Sequence, residues 1–549
     1  MITLYEQAAQ GQFSELTKLL WGAIPLRLGD LRSALPKTTI NQSSLESLHR
    51  ILFKHHQNLG FLTPEVERCL EDLVSGKGII EVGHQTLFFG GPLFLPNKVF
   101  FTSKLAEWSN LVPLFYVADY DGVQNELTIT RFPRISSAQG LALKLLLKDF
   151  ENTSAPIRLV PRPKLSWILE MVDKVRETYN ELFKASRIKG NHRPFLKNNL
   201  ENILDIFWHS ARQAQNFGQW SLQLMAEIFI RNRLPILILP ASDPEFRKIS
   251  AEGFEYLLRH RETYIEVENM IFNQLHNLDY TPRVSYRRED YVPFFLECPD
   301  CRFHSRTELL LREEGSDLIF EGQCPDCGTK HSISASKTHP DLSDHALSLS
   351  PRIDSRSCIL SALFPVQAHV GGPGETEYYS QVIPAMRNID LTPPIFIKYT
   401  RLFYNSPWSE KFGKELPLDC VLQTKEMFSM LGKYSKAESH EDILDIAGKM
   451  GNRVYCCLGN LLEERKELQE KIKKQRSKKD SRLLQDLELY LSMTYGFFAE
   501  EKTTQESSWS WSDLAILTGV YDLGGFIQRQ MKPNLPPGQT LYISPGNFN

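Results

Sequence analysis

One arrangement recurs along this chain and restricts its fold more than any other feature. A short apolar run ends in a glycine-bearing or otherwise tight turn that opens directly into a helical pattern. It appears first at GIIEVG (78–83), followed by PLFLPNKVFFTSKLAEW and then by the β-rich run LVPLFYVAD ending at Asp119. Strand, glycine turn, helix and buried strand in that order describe a βαβ unit and a parallel sheet. The same order returns at RLPILILPASDPEFRKISAEGFEYLLRH. There Pro235–Pro240 reads as a strand, and Asp243 can cap the next helix with Pro244 in its first turn. A third instance is SCILSALFPVQAHVGGPGETEYYSQVIPAM (357–386), and PPIFIKYTRLF adds a further strand. The fold class expected is α/β, with a parallel-sheet core.

The rest of the chain surrounds or interrupts that core. Its 549 residues allow three to four domain-sized units. Residues 1–75 read as helical: Leu16, Leu19 and Leu20 share a face, and SSLESLHRILFKHH and TPEVERCLEDLV carry caps and helical spacing. The core is expected over 76–400, interrupted by a helical insertion at about 165–232 and a small cysteine-bearing unit at about 294–334. Residues 401–549 are expected to form a helical, coiled-coil-like domain. Within it, Val454 to Leu491 is leucine-marked around the basic run KKQRSKKDSR, which suits two helices hinged at that run. The bland account of the run, a solvated helix face, is preferred to nucleic-acid binding. The closing KPNLPPGQTLYISPGNFN reads as an ordered loop or tail.

Composition excludes several classes. A net charge of −3 gives no global basic field for nucleic acid or an acidic membrane. No apolar run reaches the ~18 residues of a bilayer span. The start, MITLYEQAAQGQF, lacks a basic segment followed by an apolar one, so a cytoplasmic protein is expected.

Of nine cysteines, four stand in matched pairs: ECPDC (Cys298, Cys301) and QCPDCGTKH (Cys324, Cys327). Each Cys-Pro-Asp-Cys turn can aim two thiolates at one point, and four soft thiolates in a closed tetrahedron suit a structural Zn²⁺. Gly328 is a knuckle glycine, and RTELLLRE and DLIFEG would be strands of a zinc ribbon. His304 and His331 are alternative ligands ranked below the cysteines. A redox role is weaker, because neither pair opens a helix after a strand. Cys69, Cys358, Cys420, Cys456 and Cys457 are scattered, and core packing is the default for the adjacent pair.

The glycine turns carry the remaining candidates. At the first, backbone N–H groups and Lys98 could hold an anion, with His84 and Gln85 projecting at the strand's carboxyl edge. After the second strand, ADYDGVQNE places Asp119, Asp121 and Glu126 where carboxylates can bind an amine or a ribose, or simply shape a turn. At the third turn, Gly371, Gly372 and Gly374 allow close approach of a ligand. Glu375 there either caps the helix or faces the pocket.

Taken in order, these residues resemble the bacillithiol biosynthesis cysteine-adding enzymes, a cysteine ligase family. Gly83, His84 and Gln85, then Gly91, Pro92, Leu93 and Lys98, resemble its Gly-Gln-Gln and Gly-Pro-Leu…Lys pattern. FYVADYDGVQNEL is similar to its acidic segment, Ser242, Asp243 and Pro244 to its Gly-Asp-Pro strand end, and Arg356, Phe364, Pro365 and GGPGETEYY to its Gly-Pro-Gly-Glu motif. The resemblance implies a Rossmann-like core with insertions, a helical coiled-coil domain and a possible homodimer through it. The implied reaction joins cysteine to the amine of glucosaminyl-malate, with ATP as a plausible activator. It also implies catalytic roles for Asp121, Glu126 and His84, with Gly83, Gln85, Gly91, Lys98, Asp119, Gly371, Gly372, Gly374 and Glu375 binding substrate or nucleotide. The chain departs from the family in three ways. His84 replaces a Gln, Gly122 and Val123 replace a His and an Asp, and the four cysteines lie where typical members have a cysteine-poor β segment. Two alternatives follow: an amide-forming ligase with another amino acid or amine, or a non-catalytic zinc-ribbon scaffold.

Overall fold

The computed structural model describes residues 2–135, 137–186, 192–406, 416, 440–475, 477–495 and 505–545. Its centre is a five-stranded, all-parallel sheet of β1 (Ile79–His84), β2 (Val112–Val117), β3 (Leu237–Pro240), β4 (Val366–Gly371) and β5 (Ile395–Lys398). The spatial order is β5-β4-β1-β2-β3. The chain therefore runs outward from β1 through β2 to β3, then returns to build β4 and β5 on the other side. That is a Rossmann-like half, and its switch point is the gap between the carboxyl ends of β1 and β4. Both sheet faces are covered, so the strands read as continuous apolar runs instead of alternating ones.

The crossover helices start where local chemistry starts them. Helix α1 (Phe94–Ser109) leaves β1 after the tight Phe88–Gly91 turn. Helix α2 (Pro244–Arg259) follows β3; the Asp243 carboxylate accepts from the N–H groups of Glu245 and Phe246, with Pro244 at the first position. Helix α3 (Pro373–Asn388) follows β4 directly.

The amino-terminal helices pack against this sheet. Thr63 caps Pro64–Val74 and Asn41 caps Gln42–Leu59. His56 on the latter accepts from the N–H of Ile238 at 2.9 Å, and the Tyr5 hydroxyl donates to the Phe396 carbonyl. Between β2 and β3 lie a short helix (Asn125–Thr128), a hairpin of Ile129–Arg134 and Ser137–Lys144, and the longer helices Leu165–Ala185, His192–Gln213 and Phe217–Arg231. Two small antiparallel sheets follow: Phe294–Glu297, Arg306–Glu308 and Leu349–Pro351, then Leu310–Glu314, Asp317–Gln323 and Lys330–Ser336.

The leucine-marked stretch forms two helices, His440–Lys474 and Lys478–Tyr495, which meet at the basic run and pack on each other. Leu461, Leu468, Leu487 and Leu491 are buried. The closing segment does not stay a loop: Thr540–Ile543 pairs in parallel with Arg401–Tyr404. Its Pro and Gly residues flank the strand, and the partner lies over 130 residues upstream, beyond any local signal. Residues 505–530 also return to the core as three short helices. There Trp511 donates to the Phe89 carbonyl, and the buried carboxylate of Glu506 accepts from Asn97, Tyr399 and Arg401. Among the described residues no helix is long and apolar enough to cross a membrane.

Candidate active site

The sequence candidates of the first and third glycine turns meet at the switch point. The register sets Glu81 of β1 directly beside His369 of β4. A carboxylate inside a sheet needs a partner, and Glu81 finds one in the His369 ring. Tyr379 of α3 adds its hydroxyl to His369 Nδ1 at 2.8 Å, and Ser357 donates to Tyr379. Burial pushes the Glu81 carboxyl up, but His369 and Arg356 outweigh it and hold it below the usual range.

Above this pair, the two strand ends are tied together by a buried ion pair. Lys98 of α1 donates to the Gly83 carbonyl at 2.9 Å and bonds to Glu375 Oε2. Glu375 also accepts from the N–H of Gly372 at 2.6 Å, closing the first turn of α3. Both sequence readings of Glu375 hold together: it caps the helix and lines the cavity. Burial acts to raise its pKa, yet the Lys98 charge and His369 hold the carboxyl well below its ordinary value. Burial lowers the Lys98 pKa, with Glu375 opposing. Lys98, which the sequence offered as a charge beside an anion, braces the two glycine turns from the cavity wall.

A cavity of about 710 Å³ opens over these turns. Gly83, His84, Gln85, Lys98, Asp121, Glu126, Gly372, Gly374 and Glu375 line it. Gly371 lies beneath, where a Cβ would strike the Phe396 ring at 2.5 Å. Gly91 and Asp119 do not line it. Gly91 turns the chain before α1 at φ +68°, against Leu87. Asp119 is buried and accepts from the N–H of Ser242 at 2.9 Å, joining the turns after β2 and β3.

The acidic wall is ordered. The Gln85 amide donates to Asp121 Oδ2 at 3.0 Å, and Arg306 donates to Asp121 Oδ1 at 3.2 Å. Glu126 stands exposed at the rim. His84 Nδ1 lies 3.0 Å from the Gln85 carbonyl. Burial and the nearby Lys98 lower its pKa to about 4, so the ring is neutral at pH 7. With Nδ1 as donor, Nε2 is left as an acceptor.

Sequence reading underestimated the arginines. Arg283, Arg287, Arg306, Arg352, Arg356 and Arg401 all line the cavity. Several are matched by acids behind them: Arg287 by Glu268 and Asp354, Arg352 by Glu308, and Arg401 by Glu506. Arg356 is different. It is 8% exposed, donates to the Tyr378 hydroxyl at 2.8 Å, lies over the Tyr116 ring, and its buried Nε has no partner. Among the described residues it forms no ion pair. A cluster at 283–288 and another at 352–356 were the visible signal, but nothing local said they converge.

The cysteine pairs build a separate centre in the small sheets. The sulfurs of Cys298, Cys324 and Cys327 lie within 4.8 Å of one another and could hold a metal. Cys298 and Cys327 are 3.7 Å apart. That is far beyond a disulfide bond but close to the ~3.8 Å edge of a tetrahedron with ~2.3 Å zinc–sulfur bonds. Cys301, the fourth cysteine expected from the sequence, lies outside that group of three sulfurs; it packs beside Cys298 and Cys324 with its sulfur 3.6 Å from Ser305 Oγ. His331 Nε2 is 3.1 Å from the Cys298 sulfur, whereas His304 is exposed. Gly328 has φ +76°, as a knuckle glycine requires. Cys69, Cys358 and Cys457 are buried and Cys456 exposed; Cys420 lies outside the described residues.

Comparison with known proteins agrees with the Rossmann-like fold. Residues 29–399 match the family described as bacillithiol biosynthesis BshC, N-terminal Rossmann-like domain. Similar curated proteins bear the name "Putative cysteine ligase BshC". That of Carboxydothermus hydrogenoformans is 22% identical over 390 residues, covering 69% of this chain and 65% of the relative. That of Lysinibacillus sphaericus is 23% identical over 360 residues, 64% and 60% of the respective chains. That of Staphylococcus carnosus is 22% identical over 366 residues, 65% and 62%. The matched region thus spans less than two thirds of these relatives' length.

Proposed function

The chain belongs to the bacillithiol biosynthesis BshC family, and from that premise we propose that it joins the carboxyl group of cysteine to the amine of glucosaminyl-malate. The observation that carries the acceptor is Arg356: a buried guanidinium with an unpartnered Nε on a cavity wall calls for an anion. The malyl end of the acceptor carries two carboxylates. Arg356 is proposed to bind one of them, with Arg283 at the same cavity. Asp121, oriented by Gln85 and Arg306, would receive the sugar amine, and Glu126 would approach it from the rim.

Amide formation also needs a proton acceptor when the amine attacks. The Nε2 lone pair of neutral His84 is the proposed acceptor; an ammonium on a tetrahedral carbon is acidic enough for a weakly basic imidazole. A carboxylate and an amine do not condense in water unaided, and ATP is the proposed co-substrate that activates the carboxyl. The open backbone at Gly374, where a Cβ would meet nothing within 4 Å, is available to its phosphates. Zn²⁺ is proposed as the metal of the cysteine centre, on the soft, closed donor set.

The test is incubation with glucosaminyl-malate, cysteine and ATP, read by mass spectrometry. A product of the combined mass less one water supports the proposal. Its absence, with ATP consumed on another amino acid, would move the assignment to the related-ligase reading. The Gly122–Val123 departure favours that reading as the second choice.

A further inference from the structure

The cysteine centre and the cavity are joined by short covalent and hydrogen-bonded paths that converge on Asp121. The first path starts at Cys298 and Cys301. Their turn closes the hairpin of Phe294–Glu297 and Arg306–Glu308, in which Glu297 pairs with Arg306 and Phe295 with Glu308. Ser305, fully buried, accepts from the Cys298 N–H at 3.0 Å. The next residue, Arg306, stacks on the Phe295 ring at 4.3 Å and reaches Asp121. The second path starts at Asp326, between Cys324 and Cys327. Its carboxylate accepts from the N–H of Ser154 at 2.9 Å, while the Ser154 carbonyl accepts from the N–H of Arg306 at 2.9 Å. Three residues on, the N–H of Ile157 donates to the Asp121 carbonyl at 2.7 Å, and Pro156 bridges to Gly122.

One knuckle therefore holds the Asp121 side chain through Arg306, and the other holds the Asp121 backbone through 154–157. The pair next to the first knuckle is also held from outside it, since Glu297 binds both Arg158 and Arg247 and Arg306 donates to the Pro351 carbonyl at 3.0 Å. Loosening the knuckles would release the 298–305 turn that leads into Arg306 and the 154–157 segment held by Asp326, while Glu297 keeps the strand pair in place.

We infer that the cysteine knuckles are a clamp on the acidic wall of the cavity, with Arg306 and Asp326 as positioning residues, so that metal occupancy sets the geometry of Asp121. The inference takes the cavity to be the substrate site from the reading above; the clamp itself is measured without any substrate.

The experiment is hydrogen–deuterium exchange on the full chain, metal-loaded and after zinc removal, with metal content measured on each sample. Removal should speed exchange by about tenfold or more in peptides covering 119–126 and 154–158 as well as 298–336, while β1 and β4 stay protected. Asp326→Ala touches no thiolate. It should keep full zinc, speed exchange at 154–158, and raise the KM for the amine acceptor several-fold at nearly constant kcat. Exchange confined to 298–336 on zinc removal would overturn the inference. So would wild-type exchange at 154–158 in zinc-replete Asp326→Ala. If the exchange result holds but glucosaminyl-malate is not used, the functional reading fails and the clamp stands.

Discussion

Lys98 sits where three interactions compete: burial of an ammonium, attraction to Glu375, and a hydrogen bond to the Gly83 carbonyl. Removing one member of such a pair leaves the other charge uncompensated, the costly case for buried ions. Lys98→Met should therefore lower stability by roughly 3 kcal/mol in denaturant titration, and Lys98→Met with Glu375→Gln should recover part of that loss. His56 offers a second test. Its Nδ1 bonds the Leu52 carbonyl at 2.7 Å while Nε2 accepts from Ile238, so the fold requires the neutral ring. Burial lowers its pKa to about 4 from 6.5. Between those values the unfolded chain binds a proton that the folded chain does not, so stability falls as pH drops from about 6.5 to about 4. The whole effect is roughly 3 kcal/mol. His56→Gln should be less stable at pH 7 but should flatten that part of the pH–stability curve, read by urea midpoints at intervals from pH 7 to 4.

At the scale of elements, the metal centre makes the sharpest prediction. Elemental analysis should find about one zinc per chain, and Cys298→Ser, which removes the sulfur shared by Cys327 and His331 contacts, should lose most of it. Zinc content equal to wild type in that variant would mean the centre is built otherwise. This unit was readable in the sequence because its information is local: doubled Cys-Pro-Asp-Cys spacing and a following glycine. The strand-to-helix transitions were readable for the same reason, with Asp243 and Pro244 starting α2 as their chemistry dictates. What sequence reading missed depends on distant partners. Glu506 meets Asn97 across 409 residues, and Trp511 meets Phe89 across 422. Nothing near Glu506 marks it as a buried acid, so the expectation of a helical domain over 401–549 carried no sign that 505–530 returns to the core. The arginine wall was hidden in the same way, because Arg283, Arg306 and Arg356 lie tens of residues apart along the one long connection between β3 and β4.

For the whole molecule, the strand order 3-2-1-4-5 explains why residues as distant as His84, Asp121 and Glu375 share one cavity. In such a sheet the ends of β1 and β4 diverge, leaving a crevice that loops can line. Insertions then complete it: the cysteine hairpin brings Arg306, and the returning carboxyl-terminal segment brings Ser507. The near-neutral net charge is compatible with this local cationic wall, since many of the arginines are balanced from behind. An anionic acceptor should accordingly be distinguished by charge as well as by shape. The most direct measurement is the ratio of kcat/KM for glucosaminyl-malate to that for glucosamine, with cysteine and ATP saturating. Burying two carboxylates against otherwise unmatched guanidinium groups predicts a ratio of about 100 or more. A ratio near one would contradict the account.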